Sequence, residues 1–114
     1  MTQTICFTLP LLPGATDLDR AEMLDCWRGA RARDHRAARA RAGITREATW
    51  IQPTPACDVV IVLLESPDLA AAFYRIATSD SPFDAWFRDH VKAVHGVDLT
   101  AGMQLPEQIL DYAA

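Results

Sequence analysis

Six consecutive apolar residues, Val59-Val-Ile-Val-Leu-Leu64, stand between Asp58 and Glu65. Such a run, rich in β-branched side chains and bounded by acids, reads as a strand. Side chains alternate across a strand, so a ribbon that is apolar at every position has no face suited to water. A sheet built around it must be covered on both sides.

The neighbouring segments share the period of two. Ile5, Phe7 and Leu9 alternate with Thr4, Cys6 and Thr8, which predicts a first strand with one buried face. Thr45 to Gln52 predicts a second strand and Asp58 to Glu65 a third, joined through Pro53-Thr-Pro-Ala-Cys57 as a long-looped hairpin. Between the first two strands the pattern predicts one long helix, from about Thr16 or Asp17 to Ala42. Asp17, Asp19 and Glu22 open it and Gly43 closes it, with a bend expected at Gly29. Ser66-Pro-Asp68 starts a further helical segment through Leu69, Phe73 and Ile76. Ser81 and Pro82 cap the next helix, and Gly96 stops it. After Gly102 and Pro106, Glu107 to Tyr112 is expected as a last strand.

The order strand, helix, strand, strand, helix, strand is that of an α+β fold, the ferredoxin-like sandwich. The expectation is a single domain over residues 1–114 with a four-stranded antiparallel sheet, a long first helix and a second helical layer split in two. With all helices committed to one face of the sheet, a second copy of the chain is the available cover for the other, and a homodimer is expected. Gly43-Ile-Thr-Arg-Glu-Ala-Thr-Trp-Ile-Gln52, the strand Asp58–Glu65, and Pro82-Phe-Asp-Ala-Trp-Phe-Arg88 with His95-Gly-Val-Asp98 resemble a family of small bacterial proteins of unknown function in the dimeric α/β-barrel superfamily. The resemblance implies two ferredoxin-like sheets paired face to face. That superfamily holds cofactor-independent monooxygenases, cyclases, isomerases and haem-degrading enzymes, and none of their catalytic motifs is present to carry over.

Charge and cysteine content narrow the function classes. The net charge is −4, yet Arg28, Arg31, Arg33, Arg36, Arg39, Arg41 and Arg46 crowd around the single acid Asp34. Nucleic acid is not expected as a partner, since the rest of the chain is acidic and no binding motif accompanies the run. No segment is long and apolar enough for a membrane span, and the alternating N-terminus is unlike a secretory signal, so the expected location is the cytoplasm. Cys6, Cys26 and Cys57 are odd in number and contain no CxxC pair, which argues against a disulfide framework or a zinc site. No phosphate-binding glycine loop and no GxSxG elbow occurs.

The candidate chemistry lies on two helical faces. Phe83, Phe87, His90 and Val94 share one narrow arc, so His90 is expected to point inward with Trp86 on its shoulder. On the long helix Leu24, Trp27, Ala38 and Ala42 mark the inward stripe, and Arg31 and His35 interrupt it, with Asp34 at its edge. Polar groups on a buried stripe need partners, and the small alanines leave room, which predicts a cavity between helices and sheet. His35 or His90 is the expected general base, with Arg31 steadying an anionic oxygen. Trp27, Asp34, Trp50, Gln52 and Trp86 are the expected ligand contacts, although the strand face that meets the helices is open at this stage. This reading requires neither metal nor cofactor. The alternative is a non-catalytic dimer for ligand sensing or protein interaction, with Arg31 and Asp34 an ordinary helix-surface pair and His90 a satisfied core histidine.

Overall fold

The computed structural model describes all 114 residues. Three antiparallel strands, β1 (Gln3–Pro10), β2 (Arg46–Pro53) and β3 (Asp58–Ser66), form one sheet in the order β1-β3-β2. The apolar ribbon of β3 is central, as its sequence demands. Cys6 lies opposite Leu63 on one side, and Leu63 opposite Ala48 on the other. Four helices cover one face: α1 (Thr16–Arg28), α2 (Ala32–Ala42), α3 (Leu69–Thr78) and α4 (Pro82–His95), followed by a single 3-10 turn at Leu99–Ala101.

The strands put Ile5, Phe7 and Leu9 of β1, Val60, Val62 and Leu64 of β3, and Glu47, Thr49 and Ile51 of β2 toward the helices. Val60, Val62 and Leu64 form the main core with Ala42, Ile44, Ala72, Ile76 and Val94. A smaller cluster of Cys26, Ala38 and Phe83, lined by Met23, Trp86 and Phe87, joins α1 and α2 to α4. The opposite face carries Val59, Ile61 and Leu63 with Cys6, Ala48 and Trp50, and no part of the chain packs across it as a layer.

Two expectations about the architecture are corrected. The sheet has three strands, not four, so the layout is only partly ferredoxin-like. Glu107–Tyr112 forms no strand. Pro106 offers no amide to a ladder, and adjacent Ile109 and Leu110 would point to opposite faces, so no single apolar edge recommends the segment to β1. Ile109 and Tyr112 are 89% and 83% exposed. The expected long first helix is two helices. α1 ends at Gly29, whose backbone is extended, and α2 restarts at Ala32. The Asp25 carboxylate accepts the Ala30 amide at 2.9 Å, filling the helix terminus where a continued helix would place a carbonyl.

The caps expected for the later helices are formed. Asp68 accepts from the Ala71 amide at 3.1 Å, and Ser81 accepts from the Asp84 amide at 3.3 Å while donating to the Asp84 carboxylate at 2.8 Å. Gly43 and Gly96 stop α2 and α4 at φ +84° and +70°, in the left-handed region where a side chain is costly.

Candidate functional site

The middle of the sheet face that meets the helices is apolar on β1 and β3, and β2 interrupts it by placing Glu47 beside Leu64 and Thr49 beside Val62. A carboxylate here must be paired, and α2 supplies the partners from one face. His35 and Arg39 lie one turn apart. The His35 Nε2 is 2.6 Å from Glu47 Oε1. Arg39 donates to both Glu47 oxygens, through Nε at 2.9 Å and Nη2 at 3.3 Å. Burial pushes the Glu47 pKa up, but the Arg39 charge and the hydrogen bonds from His35 and Arg39 outweigh it and hold the group at about 2. Arg39 also lies over Phe87, its guanidinium carbon 4.3 Å from the ring centre. The third nitrogen, Nη1, is buried with no partner.

The second acid–histidine pair joins α1 to α4. Asp19 follows the i, i+4, i+7 spacing with Met23 and Cys26, which turns it inward, and it is 2% exposed. Its Oδ1 is 2.8 Å from Nε2 of His90, itself 5% exposed. Trp86 stacks on the His90 ring at 5.4 Å between centres. With Asp19 accepting the Nε2 proton, His90 Nδ1 is left as a buried acceptor without a donor, 3.6 Å from the Glu22 carboxylate. His95, one turn and one residue further on, is bound by structure: its Nδ1 donates to the Pro10 carbonyl at 2.8 Å. Burial lowers its pKa. Its partner thus comes from β1, across 85 residues of chain.

Between these two pairs lies an interior cavity of about 80 Å³. Asp19 and His90 stand on its wall with Arg39 and Glu47, and Phe7, Val62, Leu64 and Phe73 give it an apolar interior. It is roughly half the ~150 Å³ of a cavity that accepts benzene, so it takes a few heavy atoms and not a whole aromatic ligand. Asp19, Met23, Glu47, Thr49 and Phe87 also line a groove of about 880 Å³ that runs along the free edge of β2 beneath α1 and α2. The cavity is therefore the inner end of a larger recess.

The structure brings together only part of the residue set expected from sequence. His90 is on the cavity wall and His35 on the groove wall, while Trp86 supports His90 from behind. Arg31 lines neither space. It stands just before α2 without capping it, pairs with Asp25 at 3.0 Å and stacks on Trp86 at 3.9 Å, which fixes that indole. Asp34 is exposed on the outer side of α2. Trp50 and Gln52 point to the outer face of the sheet. Trp50 reaches the groove rim, and the Gln52 amide donates to the Pro53 carbonyl at 3.0 Å. Trp27 is on the groove.

Asp19, Arg39 and Glu47 were not anticipated, though their signals are in the chain. Arg39 is one turn beyond His35, and Glu47 alternates with Thr49 and Ile51 on the side that proves apolar. No three His, Cys, Asp or Glu side chains gather as a metal site, and no helix is long and apolar enough to cross a membrane. Among known proteins, no family model, no curated protein and no solved structure matches this chain.

Proposed function

We propose that this protein binds a small organic molecule in the recess between helices and sheet and transfers a proton on it, as a cofactor-independent isomerase, cyclase or monooxygenase acting on a carbonyl or phenolic compound. One observation carries the reading. Two buried polar atoms, Nδ1 of His90 and Nη1 of Arg39, lack partners, and both residues stand on the wall of the same apolar cavity. Leaving such atoms unpaired in a folded core costs about 1–3 kcal/mol each, and a ligand oxygen with an adjacent acidic proton satisfies both.

In this reading His90 is the general base. Asp19 holds the tautomer that presents a lone pair at Nδ1, and Glu22 lies where it steadies the imidazolium once the proton has moved. Arg39, kept rigid by Glu47 and Phe87, offers Nη1 to the oxygen that gains charge as an enolate or phenolate forms. The sequence assigned that oxygen contact to Arg31, and the cavity wall favours Arg39.

The test is proton exchange. In deuterated buffer, exchange at the α-carbon of a panel of keto acids and aromatic ketones is followed by NMR with the native protein, His90→Gln and Arg39→Gln. Loss of exchange by about 10²-fold or more in His90→Gln, with the melting temperature kept, supports the reading. Exchange indifferent to His90 overturns it in favour of a ligand-sensing or interaction module. We also propose that the protein is a homodimer, because Val59, Ile61 and Leu63 stand half-buried on a sheet face that no layer of the chain itself covers.

A further inference from the structure

The groove outside the cavity has a chemistry of its own. Two tryptophans border it, Trp27 from α1 and Trp50 from β2, and they remain 63% and 51% exposed. The Arg28 guanidinium lies over one face of Trp27, 3.8 Å from the ring centre, which leaves the other face of that indole, with Trp50, for a flat partner. The groove's acids are already engaged, Asp19 by His90 and Glu47 by Arg39 and His35. Of its arginines, Arg20 pairs with Asp17, whereas Arg36 and Arg46 line the same groove, both are exposed, and neither is in an ion pair. The free charge of the groove is positive and its free surface is aromatic.

We infer that this groove is the subsite for a planar aromatic anion, the arene carboxylate end of a substrate whose small carbonyl end enters the cavity. The inference rests on the proposed cavity reading for the second half of that statement only. Volume supports the division: about 80 Å³ inside admits a few atoms, while about 880 Å³ outside has room for a ring system. Arg36 and Arg46 match a carboxylate through guanidinium hydrogen bonds, and the indoles match the ring face. A neutral aliphatic ligand would gain nothing from either guanidinium or from the indole faces.

Two of the three tryptophans, Trp27 and Trp50, border the groove, so intrinsic fluorescence responds to its occupancy. Titration with 2-naphthoate is expected to quench it saturably, with affinity at least about tenfold better than for the neutral 2-naphthamide and weakening as salt rises. The pair Arg36→Gln/Arg46→Gln is expected to abolish that preference and Arg36→Lys/Arg46→Lys to retain part of it. Both replaced side chains are exposed, so the melting temperature should hold. His90→Gln is expected to bind 2-naphthoate as the native protein does. If it does so while proton exchange proves independent of His90, the catalytic reading fails and the subsite stands. Equal affinity for naphthoate and naphthamide, unchanged binding in the glutamine pair, or no saturable quenching overturns the subsite. Trp50 lies opposite Ile61 on the face proposed for the dimer, so quenching by naphthoate in monomeric Ile61→Asp but not in the native protein assigns Trp50 to the dimer seam and overturns the subsite too.

Discussion

At the scale of single residues, the thiols illustrate how position sets chemistry. Cys6 is exposed on the outer sheet face, whereas Cys26 is buried in the aromatic cluster. Burial pushes the Cys26 pKa up to about 11, against the opposing pull of Arg31 and Arg39. At pH 8, iodoacetamide is expected to modify Cys6 fast wherever the chain is monomeric and Cys26 only as the protein unfolds, which peptide mass spectrometry over time will show. Glu47 is the opposite case. Its carboxyl falls from an ordinary 4.5 to about 2 on folding, so the ionised form is favoured in the native state. That contribution is complete above pH 4.5 and is lost as pH falls toward 2, about 3 kcal/mol in all. Denaturant melts at pH 7 and pH 3 are expected to show this loss in the native protein. Glu47→Gln should show little of it, being already weakened at pH 7 by about 3–5 kcal/mol through the stranded Arg39 charge.

Among the elements, the break between α1 and α2 is the decisive feature. Gly29 lies so close to the preceding turn that an added Cβ would be 2.9 Å from the Asp25 Cα, backbone that cannot step aside. Gly29→Ala is expected to cost about 1–3 kcal/mol and to disturb the packing of α2 that aims His35 and Arg39 at Glu47. Urea melts give the first, and the His35 ring shifts in NMR give the second. Propensity alone reads the segment as one helix, because alanine and arginine are strong helix formers on both sides of the glycine. The competing carboxylate of Asp25, which takes the Ala30 amide, is a side-chain choice that periodicity does not register.

For the molecule as a whole, one sheet face is filled by four helices and the other presents Val59, Ile61, Leu63 and Cys6 to solvent. Replacement Ile61→Asp places a charge at the centre of that face without touching the helical side. If the proposed homodimer packs these faces together, sedimentation velocity at micromolar concentration will show a dimer for the native chain and a monomer for Ile61→Asp. A native monomer would reject the proposal.

How much of this was legible in the chain divides by the range of the forces involved. The three strands, the capped helices at Asp68 and Ser81 and the inward turn of His90 follow from local rules: side-chain alternation, helical period, and short polar groups that satisfy free amides within three residues. The site itself did not. Asp19 and His90 meet across 71 residues and His35 reaches Glu47 across a helix end and a strand, so their pairing depends on packing that no local pattern encodes. Trp50 and Gln52 face outward and Glu47 inward because the register against β3 decides which side of a two-sided strand the helices cover. The sequence alone determined the three strands of the sheet, the helical stretches and which polar groups had to find partners. Only the tertiary structure decided which partners they found, because the free energy of burying a charge is settled by whatever the fold brings within hydrogen-bonding reach.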